Sequence, residues 1–152
     1  MKNRILILLV VIGLSCKDKT GARSQNIKTE KPTQKIVGTW KLVYGEIREK
    51  DSVQIKDLSE VDFIKIINED HFAFFNQPKN GGEGFYGGGG TYTLEENNYT
   101  EVLDYVAVDE VRGHEFPFHI EIKGDTLIQS GIEDVPDAGI KRHIVEKYIK
   151  ID

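Results

Sequence analysis

The chain has 152 residues, a formal net charge of −5 and a single cysteine. An acidic chain offers no electrostatic basis for binding nucleic acid or an anionic lipid surface, so no nucleic-acid partner is predicted. One cysteine excludes an intramolecular disulfide, and the length suffices for one hydrophobic core.

The first predicted element is a secretion signal at residues 1–15. Basic residues precede an unbroken apolar run from Ile5 to Ile12, and a few small or apolar residues separate that run from Cys16. This is the layout of a secretory signal, and its apolar run is too short to span a bilayer. The stretch before the cysteine resembles a bacterial lipobox, which implies that Cys16 becomes a lipid-modified first residue. The alternative is a plain secretory signal with an incidental cysteine.

The next segment, residues 16–35, is predicted to be a flexible tether. It reads CKDKTGARSQNIKTEKPTQK and has almost no apolar residues and no periodicity. Such a composition cannot build a packed core. With a lipid on Cys16, the tether would hold a domain at the bacterial cell envelope, and the outer membrane is the expected location. The domain itself is predicted at residues 36–152.

Eight β-strands are predicted in this domain from short β-branched and aromatic runs separated by turn residues. They cover residues 36–47, 61–68, 71–77, 84–96, 98–108, 115–124, 125–132 and 143–151. The turn sequences NED, ENN and KGD between runs favour sequential hairpins. In the connection 48–60, the letters IKDLSE indicate a possible helical turn. The pattern predicts an all-β fold, a single eight-stranded antiparallel up-and-down barrel, since closure removes the exposed edges that an open meander or sandwich would keep.

The fourth of these runs contains four consecutive glycines, in the stretch GFYGGGGTYT. A phosphate-binding loop would need a helix after the glycines, whereas an alternating strand pattern follows them here. Glycines inside a strand mark a bulge, a sharp bend or close backbone approach. We therefore assign Gly88, Gly89 and Gly90 a structural role in bending the strand, and expect valine at these positions to destabilise the fold or reshape the cavity.

A family resemblance begins at Gly38 and Trp40, a Gly-x-Trp on the first strand. The pieces GTWKLVYG, GGGTYTLEENNYTEVLDY and FPFHIEIKGDTLIQSG, in that order, are similar to the lipocalin-like domains of small secreted bacterial lipoproteins. The resemblance implies a calycin-like barrel with Trp40 packing over its closed end, and it implies no established enzyme activity. In lipocalins proper a basic residue of the last strand stacks on this tryptophan, and Arg142 and Lys147 are the candidates.

Strand alternation also suggests which side chains line a cavity. In the fifth run, the aromatic-rich face of residues 99–105 carries Glu101. An ionised carboxylate inside a barrel is costly without a donor or a cation. Glu101 is either a polar anchor for a ligand, a carboxylate paired with a barrel lysine or arginine, or a solvated residue on the outer face. The predicted cavity residues are Tyr44, Phe74, Tyr92, Tyr99, Glu101 and Tyr105.

No catalytic residue, metal site or cofactor is predicted. Ser130 lacks a nucleophile-elbow context, and the histidines share no tight ligand spacing. His119 is expected to point outward from a strand whose core face carries phenylalanine and isoleucine. The acid-rich segment 131–139 is predicted to be a loop that could bind Ca²⁺ weakly, although it lacks EF-hand spacing.

Three functions remain open at this point. The first is a membrane-anchored, non-catalytic protein that binds a small apolar or amphipathic ligand in the barrel. The second is a structural or interaction protein of the envelope with a filled barrel. The third is an enzyme that uses the same cavity, which rests only on Glu101 and several tyrosines.

Overall fold

A computed structural model describes residues 35–152 of the chain. The predicted secretion signal, Cys16 and nearly all of the tether lie outside the described residues, so their assignments stay predictions. Within the described part, the chain forms nine strands and two short 3₁₀ turns, Asp109–Val111 and Pro136–Ala138. The strands are β1 Gly38–Glu49, β2 Ser52–Ile55, β3 Val61–Ile67, β4 His71–Pro78, β5 Tyr86–Glu95, β6 Asn98–Val106, β7 Glu115–Lys123, β8 Thr126–Val135 and β9 Ile140–Lys150.

Eight of these strands form a closed barrel. β1 pairs with β3, each later strand pairs antiparallel with the next, and β9 pairs back onto β1 between Trp40 and Arg48. β2 forms a hairpin with the end of β1 and is not one of the eight strands of the barrel. The predicted all-β fold, an eight-stranded antiparallel up-and-down barrel, is confirmed. Closure removes the two free edges that an open sheet of these strands would expose.

Two connections differ from the prediction. The possible helical turn at IKDLSE is wrong, because β2 ends at Ile55 and residues 56–60 run to β3 without a helical turn. The chain enters β2 through a turn at Lys50, which has φ 51°. The acid-rich segment is not an open loop either. β8 runs on to Val135, so that Glu133 pairs across the hairpin with Arg142 at 2.5 Å and Asp134 with Lys141 at 2.8 Å. These carboxylates already have cations as partners.

Trp40 closes one end of the barrel. It is 1 % exposed, and its indole Nε1 donates a hydrogen bond of 2.8 Å to the carbonyl oxygen of Ile36. The cation over its ring is Lys150, with Nζ 5.6 Å from the centroid. Gly38 leaves space for the side chain of Lys150, because a Cβ at position 38 would lie 2.5 Å from Lys150 Cε.

The prediction that Arg142 or Lys147 stacks on Trp40 is therefore wrong. Lys147 lies with its Nζ 4.8 Å from the ring centroid of Tyr44, and Arg142 pairs with Glu133 at the opposite end of the barrel. The physical reason is the period of a strand. Arg142 stands at the start of β9, far from Trp40, while Lys147 alternates with the inward-facing residues Glu146 and Tyr148.

The glycine run lies where β5 is pressed against both neighbours. A Cβ on Gly90 would stand 1.9 Å from the carbonyl oxygen of Val102, and one on Gly89 would stand 2.6 Å from that of Phe72. The β5–β6 register shifts at this point: Gly89 pairs with Tyr105 and Thr91 with Val102, so β6 carries one extra residue. The glycines thus allow close backbone approach at a β-bulge.

We expect Gly90→Ala to destabilise the fold by about 2 kcal/mol or more, because the backbone of β5 or β6 must move to admit the methyl group. Urea unfolding of the full-length chain measures the loss. The matched control is Gly82→Ala in the loop before β5, where a Cβ meets nothing within 4 Å, and its effect should stay within about 0.5 kcal/mol. Equal unfolding midpoints for the two variants would contradict the close-approach role of Gly90.

Candidate functional site

The barrel interior holds a cavity of about 680 Å³. Side chains from every barrel strand except β1 line it, and it extends from the middle of the barrel to the end opposite Trp40. At that end, which we call the mouth, the exposed side chains of Phe85, Tyr86 and Val108 border the opening. The volume lies within the range of ordinary small-molecule pockets.

The wall of the cavity is apolar and rich in phenylalanine. Phe63 of β3 stacks on Phe74 of β4 with ring centroids 5.7 Å apart, and on the other side Phe116 and Phe118 of β7 stack at 6.4 Å. These residues occupy alternate, inward positions of their strands, which is why the pleat directs them to one space. The wall is made mainly of Phe63, Phe74, Leu103, Phe116, Phe118 and Ile144.

Below the wall, the inward positions become polar. Lys65, Glu101 and Glu146 each lie two positions farther from the mouth than an apolar wall residue of the same strand. Gln129 pairs with Glu146 across β8 and β9, and Tyr148 lies two positions beyond Glu146. We call this set the polar floor: Lys65, Glu101, Gln129, Glu146 and Tyr148.

Lys65 is the centre of the floor. Its side chain is almost fully buried, its Nζ forms an ion pair with Glu101, and it donates a hydrogen bond of 2.8 Å to Gln129 Oε1. The ammonium also lies 5.3 to 5.8 Å from the ring centroids of Phe72, Tyr99 and Tyr148. A carboxylate, an amide oxygen and three aromatic faces thus replace the water that this charge would have in solution.

Glu146 is the second buried carboxylate. It accepts a hydrogen bond of 2.6 Å from Lys56 Nζ through Oε1 and one of 2.6 Å from the Tyr148 hydroxyl through Oε2. Lys56 follows β2 and reaches in over the Phe63 ring, 5.5 Å from its centroid. Both oxygens of Glu146 therefore have a donor inside the barrel.

The two carboxyl groups respond differently to burial. Burial raises the pKa of Glu101 above its ordinary value, and the Lys65 ammonium offsets only part of that effect. Burial also acts to raise the pKa of Glu146, but the Lys56 ammonium, the two hydrogen bonds and the charge of Lys65 together bring it below its ordinary value. Burial, with the nearby charge of Glu101, raises the pKa of Tyr99 well above its ordinary value, so its hydroxyl stays protonated.

The structure brings together only some of the residues predicted for the cavity. Phe74 and Glu101 line it. Tyr99 is buried beside the floor, with Lys65 over its ring, and its hydroxyl makes no hydrogen bond within the described part of the chain. Tyr92 is buried toward the closed end, where its hydroxyl donates to the carbonyl oxygens of Asn68 at 2.7 Å and Glu69 at 3.1 Å.

Tyr44 and Tyr105 do not line the cavity, which corrects their predicted inward orientation. Tyr105 is 67 % exposed, and the hydroxyl of Tyr44 donates to Glu46 on the outer face. Both follow a β-bulge, one between Leu42 and Tyr44 and the other in β6 opposite Gly90. An extra residue in a strand moves every later side chain to the other face.

Most of the polar floor was missed at the sequence level, although a signal for it exists. Lys65 stands between Phe63 and Ile67 at the inward positions of β3, and Glu146 stands between Ile144 and Tyr148 in β9. A charged residue at the apolar phase of an alternating strand is the sign of a buried polar group. The partners of Lys65 and Glu146 could not be identified from the sequence, because only closure of the barrel brings them close.

Residues 35–152 contain no cluster of three or more histidine, cysteine, aspartate or glutamate side chains arranged to hold a metal ion. Over the same range there is no helix of the length and apolarity that crossing a membrane requires. His119 points outward, as expected, beside the inward residues Phe118 and Ile120.

Comparison of the chain with protein-family models gives no match. Comparison with curated proteins gives no match either. The closed eight-stranded barrel is compatible with a calycin-like fold.

We expect Lys65→Met to destabilise the protein by about 3 to 5 kcal/mol, because it leaves Glu101 buried without its cation. The double variant Lys65→Met/Glu101→Met should recover most of that loss, since it removes both charges. Denaturant unfolding of the single and double variants gives the coupling between the two positions.

The matched control for Lys65 is Lys41→Met. Lys41 forms an ion pair of 2.6 Å with Asp62 at a solvent-exposed position, so its loss should cost about 1 kcal/mol or less. If Lys65→Met costs no more than Lys41→Met, the buried pair is not what stabilises the floor.

The pKa directions predict opposite pH profiles for two variants. Ionised Glu146 stabilises the folded state above the ordinary glutamate pKa, and this contribution is lost as pH falls through its lowered pKa. The difference in unfolding free energy between the wild type and Glu146→Gln should therefore shrink in acid. Ionisation of Glu101 opposes folding, so the stability of the wild type relative to Glu101→Gln should fall as pH rises through its raised pKa. Denaturant unfolding between about pH 3 and pH 8 measures both differences. Parallel profiles for the two variants would contradict the assignment.

Proposed function

We propose that the protein is a non-catalytic binding protein that holds one small amphipathic molecule in the barrel cavity. The observation that carries this proposal is the cavity itself: about 680 Å³ with an apolar, phenylalanine-rich wall that ends on buried hydrogen-bonding groups. Binding pockets commonly combine a large apolar surface with a few placed polar groups that orient the ligand. The wall would hold the apolar part of the ligand and the floor its polar end.

The polar groups of the floor support binding better than catalysis. Lys65 and Glu101 engage each other, and Glu146 is held by Lys56 and Tyr148. Catalysis by proton transfer or nucleophilic attack needs a base or nucleophile that is free to react and a partner that orients it. Groups that neutralise each other are suited to orienting a ligand.

The proposal includes an anchor at the cell envelope. It rests on the signal-like residues 1–15 and the lipobox-like sequence before Cys16, together with the resemblance to lipocalin-like lipoproteins. One structural observation supports it: the carbonyl oxygen of Ile36, just before β1, accepts a hydrogen bond from Trp40 at the closed end. A tether from Cys16 would then reach the barrel at the end opposite the mouth and leave the mouth accessible.

A second candidate function is protein interaction at the mouth. It is favoured by the exposed aromatic side chains of Phe85 and Tyr86. This alternative assumed a filled barrel. The barrel instead contains a cavity directly below these residues. Ligand binding accounts for both features, whereas an interaction surface accounts only for the rim.

The experiment that tests ligand binding is a pair of neighbouring substitutions in β6. Val106 lines the cavity near the mouth and Tyr105 points outward. Val106→Trp should fill the opening and weaken binding of the neutral fluorescent dye Nile red by about tenfold or more, while Tyr105→Trp should leave it unchanged. Fluorescence titration of the full-length chain measures binding, and thermal melting shows that both variants fold.

Two kinds of result would contradict ligand binding in the barrel. Absence of dye binding by the wild type, or equal binding by the wild type and the Val106→Trp variant, would count against a ligand in the barrel. Loss of binding in Tyr105→Trp alone would place the dye on the outer surface.

A further inference from the structure

We propose that the ligand is an electrically neutral amphipathic molecule whose inner end is a hydrogen-bond acceptor, a hydroxyl or a carbonyl oxygen. This inference rests on the proposed ligand-binding function and specifies the ligand class. It comes from the charges that line the cavity and from the hydrogen-bonding groups left over when those charges are paired.

Every charged side chain that lines the cavity has a partner of opposite charge in the same lining. Lys56 pairs with Glu146 at 2.6 Å, Lys65 pairs with Glu101, and Arg142 pairs with Glu133 at 2.5 Å. The formal charge of these six side chains sums to zero when all are ionised. The lining therefore holds no uncompensated charge for a charged ligand to neutralise.

A charged ligand end would meet a like charge at the floor. A carboxylate would approach Glu101 and Glu146, both almost fully buried, and an ammonium would approach the equally buried Lys65. Either ion would also lose its hydration without gaining a partner of its own. Like-charge contact of this kind is how an interior rejects a wrong ligand.

The floor has donors to spare. A lysine ammonium only donates, so the amide oxygen of Gln129 must face Lys65, as its 2.8 Å contact with Oε1 requires. The NH₂ group of Gln129 is then directed elsewhere, as a donor. Lys65 itself has three N–H groups and directs two of them at Glu101 and Gln129. An acceptor on the ligand complements these donors, because both carboxylates are already engaged with cations.

The test compares three probes with the same ten-carbon chain and different ends: decanol, decanoate and decylamine. At about pH 8 the acid is an anion and the amine a cation. Isothermal titration calorimetry with the full-length chain should give decanol the tightest binding, by about tenfold or more over either ion. Because the three probes have the same number of carbon atoms, differences in binding report on the end group.

Two substitutions should shift this preference in opposite directions. Glu101→Gln removes one negative charge from the floor and should raise the affinity for decanoate relative to decanol by about tenfold, while Lys65→Gln should do the same for decylamine. The matched control is Glu121→Gln, which removes the same charge from the outer face of β7 and should change none of the ratios. The comparison in the wild type stands even if a floor variant fails to fold.

The outcomes separate this inference from the proposed function. Decanoate or decylamine binding as tightly as decanol would overturn the neutral class and leave ligand binding standing. Binding of Nile red with no binding of decanol would also overturn it. Failure of all probes, the dye included, would reject the proposed function and this inference with it.

Discussion

The ammonium of Lys65 is the interaction on which the barrel interior depends. A buried charge is costly unless it is paired, and Lys65 meets its partners across the interior: Glu101 on β6, Gln129 on β8 and the ring of Tyr148 on β9. None of these strands is a sheet neighbour of β3. The lysine therefore ties opposite walls together at one level. Toward the closed end the space is packed around Trp40, and toward the mouth the walls stay apart and leave the cavity.

The glycines of β5 contribute to the cavity in a second way. Phe74 and Leu103 both line the cavity, and a Cβ on Gly88 would stand 3.0 Å from a ring carbon of the first and 3.1 Å from a methyl group of the second. A larger residue would have to share their space or project into the hollow. Glycine weakens a strand because it loses more conformational freedom on folding and offers no side chain to pack. In this barrel the glycines allow the backbones of β5 and β6 to approach closely at Gly90, and they leave space in the interior.

The sequence predicts the strands and their closure because alternation and turn residues are local signals. It also places Phe74 and Glu101 on inward faces for the same reason. Tyr44 and Tyr105 were misplaced since a bulge changes the phase of a strand, and its position depends on how neighbouring strands fit. The partner of Glu101 could not be named either. Lys65 lies on a strand three places away in the sheet, and only the closed barrel turns the two side chains toward one another.

The polar floor bears on why the barrel is not simply filled. Apolar residues of similar volume in place of a buried ion pair often leave a protein equally stable or make it more stable. A barrel with no role beyond its own folding would therefore gain nothing from two buried carboxylates and the lysines that neutralise them. We infer that their value lies in what they recognise or specify. Because the charges cancel while the donors of Gln129 and Lys65 remain, the floor is suited to fixing the polar end of a molecule that brings no charge of its own.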